Sequence, residues 1–150
     1  MRIAPALFLV FGAFAQAADC VNYADGVTLI GRLTRHTFPE EPNYESIERG
    51  DAAATYFFVS PDKAICVAEG NNRDGLEPAE PSVRRVQLVF LDAEKSYRRL
   101  RPQIGKEVTC EGHLYHEHTG HHHSRVLLAD AKCRPTHSST GRANSRAPVN

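Results

Sequence analysis

The chain has 150 residues, and its 18 basic residues are balanced by 18 acidic ones. This length is sufficient for one domain with a single hydrophobic core. Three arginines and no acid follow Cys133, so the preceding body is mildly acidic, which argues against a nucleic-acid-binding protein because such proteins carry a basic domain or stripe.

The first 17 residues have the pattern of a secretory signal peptide. Arg2 gives a short basic start, and the apolar run over 7–14 is too short to span a bilayer. The small-x-small sequence at 15–17 is typical of a signal-peptidase site. We therefore expect cleavage near Ala17, a mature chain that is periplasmic or secreted, and no membrane span.

Short β-rich segments separated by turn residues follow along the mature chain. The predicted strands cover residues 27–34, 55–60, 64–68, 86–91, 106–115 and 125–133. The second and third are separated only by a turn and would form a hairpin, whereas the Asn, Gly and Pro residues of 70–82 predict a loop. Residues 92–100 are predicted to form a helix with Asp92 as its N-cap.

The order of these elements favours a mainly β fold, a small OB-like barrel of five to six strands with one short helix before the last two strands. Gly31 and Gly112 lie within predicted strands, where small barrels bend sharply. A two-sheet β-sandwich is the alternative. The predicted organisation is a signal peptide over 1–17, one disulfide-linked β domain over 18–133 and a disordered polar tail over 134–150.

Four cysteines remain after the predicted cleavage, and an even number in an oxidising compartment predicts two disulfides. An antiparallel hairpin formed by the last two strands has a register that places Cys110 opposite Cys133. Opposed residues of a non-hydrogen-bonded pair have Cα atoms about 4.5 Å apart, within the range of a disulfide. This register leaves Cys20 to pair with Cys66.

Six histidines lie between residues 113 and 123. Imidazole binds zinc and copper, so the segment offers a candidate transition-metal site at the hairpin tip. The candidate ligands are His116, His118, His121 and His123. The spacing matches no closed zinc motif, and two alternatives stay open. The rings are either exposed loop residues that bind metal weakly, or structural residues bonded to backbone carbonyls.

The segment 38–51 joins the first two predicted strands and carries Asn43, Tyr44, Glu45 and Ser46. These polar side chains are candidate ligand contacts, because loops on rigid scaffolds often carry binding sites. The alternative, which we favour, is a structured loop whose Asn and Ser make local backbone bonds.

No catalytic pattern is present in the sequence. Ser46 lies in no Gly-x-Ser-x-Gly elbow, there is no phosphate-binding glycine loop, and four paired cysteines leave no thiol nucleophile. We therefore expect that the protein is not an enzyme.

Five short motifs are spread along the mature chain. They are Pro-Asn-Tyr-Glu-Ser-Ile-x-x-Gly-Asp at 42–51, Ile-Cys-Val at 65–67, Val-x-Leu-Val at 86–89, Gly-Lys-x-Val at 105–108 and Thr-Gly-His-His-His-Ser at 119–124. Together they resemble an exported bacterial family, domain of unknown function 4431. The resemblance implies a small secreted β domain without an assigned activity. It also implies a set of motif residues, Asn43, Tyr44, Glu45, Ser46, Gly50, Asp51, His121, His122 and His123, and Cys20 and Cys66 match the cysteine positions of the family.

In an OB-like barrel, the loop after the first strand and the loop between the last two strands flank the usual ligand face. We therefore predict one site formed by Tyr44, Glu45, His121, His122 and His123. The predicted function is a non-catalytic exported module that binds a peptide, a glycan or an envelope protein. The alternatives are a periplasmic zinc- or copper-binding protein that uses the 116–123 tip, and an inhibitor or immunity protein against an envelope-acting toxin or hydrolase.

Overall fold

The computed structural model describes residues 20–72 and 75–136. The predicted signal peptide, its cleavage site near Ala17 and the predicted tail beyond Thr136 lie outside these residues.

The described residues form nine strands, one α-helix and two short 3-10 helices. The strands are β1 (Gly26–Pro39), β2 (Ala53–Pro61), β3 (Ile65–Val67), β4 (Gly70–Asn72), β5 (Gly75–Glu77), β6 (Glu80–Val83), β7 (Val86–Leu88), β8 (Glu107–His116) and β9 (Val126–Pro135). The helix is α1 (Ala93–Leu100), and the 3-10 helices are Ile47–Arg49 and Arg101–Gln103. Asp92 caps α1, because its side chain accepts a hydrogen bond from the Lys95 N–H.

Five strands form a closed ring in the order β1-β2-β7-β9-β8, and β8 pairs back onto β1. Neighbouring strands are antiparallel except β7 and β9, which are parallel. Along the chain, the helix follows β7, the third of the ring strands in sequence, and precedes β8, the fourth. The prediction of a small, mainly β, OB-like fold with one short helix is therefore confirmed, and the closed ring excludes the two-sheet sandwich.

Alternate residues of the ring strands fill the interior, as expected for strands with one buried face. The inward residues that are fully buried include Leu33, Val59, Val86, Val108, Val126 and Leu128. Leu100 of α1 joins the same core, so the amphipathic helix closes one part of the ring.

Two glycines allow the strands of the ring to approach closely. β1 pairs with β8 over its first half and with β2 over its second, and Gly31 lies where the two pairings overlap. A Cβ atom at Gly31 would lie 2.2 Å from the Ser60 carbonyl oxygen. A Cβ atom at Gly112 would lie 2.4 Å from the Ala129 carbonyl oxygen, at a shift in the β8–β9 register. Both positions therefore require glycine.

Both predicted disulfides are present. Cys110 faces Cys133 across β8 and β9 with a Cα–Cα distance of 4.0 Å, in the predicted register. Cys20 forms a disulfide with Cys66, with a Cα–Cα distance of 4.5 Å, and this bond links the start of the domain to β3. Two disulfides fit a secreted or periplasmic protein, because such bonds persist in oxidising compartments.

No helix within residues 20–72 and 75–136 is both long enough and apolar enough to cross a membrane.

Three local predictions are wrong. β2 does not form a hairpin with β3, because β2 pairs with β1 and β7 whereas β3 pairs with β6. The segment 70–82 is not simply a loop, since it contains a β4–β5 hairpin and most of β6. The last strand continues beyond Cys133 to Pro135, which pairs with Val108. β3, β4, β5 and β6 have only three or four residues each, and β9 ends in polar residues, so these parts lack the apolar alternation on which the predictions depended.

We expect Gly31→Ala to lower the free energy of unfolding by about 3 kcal/mol, because its methyl group would overlap the backbone of β2. Gly26→Ala is the matched control in the same strand, since its Cβ would lie 4.0 Å from the nearest atom, in the His113 side chain. Urea unfolding of the oxidised chain from Ala18 measures both. Equal losses in the two variants would contradict the close approach at Gly31.

Candidate functional site

The loop between β8 and β9, residues 117–125, is called the histidine loop here, and it folds back over the outer face of the ring. Gln87 of β7 points to this outer face and yet is only 1% exposed. Its Nε2 donates to the His121 carbonyl at 2.9 Å, and its Oε1 accepts from the His123 N–H at 2.6 Å. The Ser124 hydroxyl accepts from the Gln87 N–H at 3.0 Å and donates to the Val126 carbonyl. One buried residue therefore holds the histidine loop against the sheet.

Glu40 joins the histidine loop to the loop between β1 and β2, residues 40–52, called the acidic loop here. The Glu40 side chain is 8% exposed, and its carboxylate accepts a hydrogen bond from the Tyr56 hydroxyl at 2.7 Å. His121 Nδ1 contacts one carboxylate oxygen, and His123 Nε2 lies 3.3 Å from the other. Because an ionised carboxylate only accepts hydrogen bonds, both ring nitrogens carry protons.

The environment of Glu40 keeps it ionised. Burial alone would raise the pKa of Glu40, but the hydrogen bonds from Tyr56, His121 and His123 outweigh burial and hold the pKa below its usual range. Burial and the hydrogen bond to Glu40 raise the pKa of Tyr56. The cluster therefore consists of one carboxylate surrounded by three proton donors.

Aromatic packing fixes the two histidines that reach Glu40. The His123 ring stacks on Phe38, with centroids 3.8 Å apart and planes 3° apart, and Tyr56 packs against it at 4.9 Å. The His121 ring meets Tyr44 edge to face at 5.6 Å. The structure thus brings Tyr44 together with His121, as the single-site prediction requires for these two residues.

Asp51 organises the other predicted residues of the acidic loop. Its carboxylate accepts hydrogen bonds from the backbone N–H groups of Asn43, Glu45 and Ser46 and from the Asn43 side chain, at 2.8–3.0 Å. The bonds from Ser46, Glu45 and Asn43 lower the pKa of Asp51 despite its burial. The Glu45 side chain turns outward to Arg49. Asp51 therefore holds the backbone of Asn43, Glu45 and Ser46 in place, whereas the Ser46 side chain makes no capping hydrogen bond.

The structure does not bring the four predicted metal ligands together. His116 Nε2 lies 3.1 Å from Glu80, whereas His118 Nδ1 contacts the His116 carbonyl. His121 and His123 meet at Glu40 instead. Within the described parts of the chain, no group of three His, Cys, Asp or Glu side chains is arranged to hold a metal ion.

A cleft of about 280 Å³ opens where β2 and β7 separate, and it is called the aromatic cleft here. Its lining residues are Thr55, Tyr56, Phe57, Gln87, Leu88, Val89, Phe90, Ala93, Tyr97, Tyr115, His121 and His122. Phe57 anchors one wall through contacts with Phe90 and Tyr97 at 6.1 and 5.7 Å between centroids. β2 and β7 are the second and third strands of the ring along the chain, so the cleft lies on the face that OB-folds use for ligands.

Two polar groups on the cleft wall are available as hydrogen-bond donors. His122 Nδ1 accepts from the His118 N–H at 3.0 Å, which leaves the ring proton on Nε2. Burial, together with the neighbouring His118, His121 and His123, lowers the pKa of His122 and keeps the ring neutral. Burial raises the pKa of Tyr115, so its hydroxyl keeps its proton. Neither His122 Nε2 nor the Tyr115 hydroxyl has a hydrogen-bond partner among the described residues.

Sequence reasoning missed Glu40, Gln87 and most of the aromatic cleft. Gln87 interrupts the apolar run 86–91 after its first residue, and this is a usable signal because a buried amide must be hydrogen-bonded. Nothing local distinguishes Glu40 from the adjacent Glu41, since the partners of Glu40 come from β2 and from the histidine loop.

The family model described as domain of unknown function (DUF4431) matches residues 85–129. This stretch contains β7, α1, β8 and the histidine loop, and the resemblance to the family is confirmed over these residues. The comparisons with curated proteins and with solved structures found no match. The acidic loop, which carries the other motif, lies outside the matched residues.

We expect Glu40→Gln to lower the free energy of unfolding at neutral pH by about 2 kcal/mol, because the charged acceptor shared by three donors is lost. Glu41→Gln is the matched control, since Glu41 is exposed, and we expect a change within about 0.5 kcal/mol. Denaturant unfolding measures both. Equal effects in the two variants would contradict the role of Glu40.

The effect of Glu40→Gln should also depend on pH. A carboxyl group with a lowered pKa in the folded state stabilises that state above its unfolded pKa, and the contribution is lost as pH falls through the folded pKa. The difference between the wild type and Glu40→Gln is therefore expected to be full near neutrality and to shrink in the acid range. Unfolding curves at several pH values measure it, and a difference that grows on acidification would contradict the assignment.

Proposed function

We propose that this protein is an exported, non-catalytic binding module whose ligand occupies the aromatic cleft. The observation that carries the proposal is the position of the cleft, between the second and third ring strands and lined by His121 and His122 of the histidine loop, which the acidic loop contacts through Glu40. Glu40 and Gln87 fix these loops against the ring, so the face is formed before a ligand arrives. A preformed site loses little entropy on binding.

The size and chemistry of the cleft limit the ligand. A volume of about 280 Å³ is at the lower end for ligand sites, so the cleft accommodates one or two side chains or sugar rings. Five of its lining residues are aromatic and offer flat apolar surface. His122 Nε2 and the Tyr115 hydroxyl offer donors to an oxygen acceptor. A peptide or a glycan segment meets these requirements.

Export and the absence of catalysis are part of the same proposal. The two disulfides support a periplasmic or extracellular location, and the leader sequence ending near Ala17 supplies the route. The imidazole groups near the cleft contact Glu40, Glu80 and backbone atoms. These contacts support a structural role for the histidines rather than the activation of a nucleophile.

We expect His122→Ala to weaken binding at the cleft by about three- to tenfold, because one donor on the cleft wall is removed. The probes are a panel of linear peptides and a panel of linear oligosaccharides, and the affinity of the best binder is measured by calorimetry. His113→Ala is the matched control, since His113 is exposed on β8 and does not line the cleft.

Amide chemical shifts of the labelled protein locate the binder. Shifts confined to the cleft lining, with affinity weakened in His122→Ala and kept in His113→Ala, would support the proposal. A panel without any binder, or a binder whose affinity is equal in both variants and whose shifts lie elsewhere, would overturn it.

A further inference from the structure

Among residues 20–72 and 75–136, one edge of β2 has no strand partner over part of its length. β1 pairs with β2 from Ala53 to Pro61, but β7 pairs with it only from Phe57 to Val59. Within the described residues, the segment 53–56 of β2 therefore has a neighbouring strand on one side only. An exposed strand edge is a template for another extended chain.

The direction of the edge hydrogen-bonding groups follows from antiparallel alternation. The Glu40 N–H donates to the Ala52 carbonyl at 2.7 Å, so Ala52 faces β1. Alternation then directs the N–H and C=O groups of Ala53 and Thr55 away from β1. The hydroxyls of Thr37 and Thr55 lie 2.8 Å apart, as expected for a non-hydrogen-bonded pair, whose side chains approach most closely.

The aromatic cleft lies along this edge. The register that pairs Phe57 with Leu88 would next pair Thr55 with Phe90. Instead, the chain after Leu88 follows β9, because the Val89 N–H donates to the Leu128 carbonyl and the Val89 carbonyl accepts from the Ala131 N–H. Thr55 and Phe90 line the cleft as a result. The cleft is the gap left by a strand pairing that stops early.

Arg35 and Glu41 lie on the β1 side of β2, near the two ends of this stretch, and the Arg35 side chain reaches the cleft-lining residue Tyr97. Arg35 lies opposite Phe57 and donates to the Tyr97 hydroxyl at 3.1 Å. Glu41 accepts from the Ala52 N–H through its carbonyl, and its side chain accepts from the Tyr44 hydroxyl at 3.4 Å. Among the described residues, neither Arg35 nor Glu41 forms an ion pair. The interval from Ala53 to Phe57 corresponds to about 13 Å of extended chain.

We propose that the ligand is an extended peptide segment of a partner protein, which adds a strand to β2 at Ala53 and Thr55. The proposal rests on the proposed function, since it identifies the occupant of the same cleft. An aromatic or branched apolar side chain of the peptide enters the cleft. An acidic residue of the peptide lies toward Arg35, whose guanidinium reaches the cleft wall at Tyr97. The backbone groups of the edge favour a peptide over a glycan, because a peptide presents matching donors and acceptors at the spacing of a strand.

The first test uses a library of acetylated, amidated hexapeptides that carry Phe or Tyr in the centre and Lys and Glu at the ends in both orders. The best binder is then methylated at one backbone nitrogen at a time. Methylation at alternate residues is expected to weaken binding tenfold or more, whereas methylation at the intervening residues changes it less than twofold. The protein is unaltered in this test, so a folding defect does not produce the pattern.

The second test removes an edge donor from the protein. Thr55→Pro deletes the Thr55 N–H, which points away from β1, and is expected to reduce peptide affinity tenfold or more. Thr55→Val keeps the N–H and the shape of the side chain and is expected to bind like the wild type. Melting temperatures establish that both variants fold, and if Thr55→Pro does not, the methylation pattern decides.

The outcomes separate the two proposals. A flat methylation profile, or equal peptide affinity in folded Thr55→Pro and Thr55→Val, would overturn strand addition. Oligosaccharides that bind the cleft, with no hexapeptide that does, would overturn the peptide and keep the binding module. The absence of any binder at the cleft would overturn both.

Discussion

The buried carboxylate of Glu40 connects segments that are remote in the sequence. It receives proton donors from β2 and from the histidine loop, while its own backbone begins the acidic loop. A buried carboxylate with fewer partners would be costly, so the donors and the charge depend on each other. Gln87 adds a second attachment of the histidine loop to β7. The shape of the face that carries the aromatic cleft therefore follows from two buried polar residues in a mainly apolar ring.

The early end of β7 produces the aromatic cleft and leaves part of one β2 edge unpaired among the residues that the structure describes. After Leu88 the chain bonds to β9 and then enters α1, whose Tyr97 forms part of the cleft wall. If β7 continued along β2, it would pair with the backbone N–H and C=O groups of the β2 edge and would fill the cleft. Because the chain leaves β2 after Leu88, it can bond to β9, which closes the ring, and lead into α1. The same departure leaves the aromatic cleft open between β2 and β7.

Much of the ring could be predicted from the sequence, because apolar alternation, the Asp92 cap and the position of the cysteines are local signals. The Cys110–Cys133 pair followed from the register of one hairpin. The pairing of β3 with β6 could not be predicted, since both strands are short and β6 is polar. In the candidate site, the clustering of histidines was visible, but their partners Glu40 and Gln87 were not. These contacts depend on how remote strands meet, which no local pattern encodes.

The Cys110–Cys133 disulfide encloses the histidine loop in a covalent circle of two strands and their connection. A protease that cut the chain within the histidine loop would therefore not separate β9 from the rest of the domain. The two new ends would remain close to the ring, because the disulfide and the β8–β9 ladder hold the strands on either side. The chain would then carry a cut and still keep all five strands of the ring attached to one another.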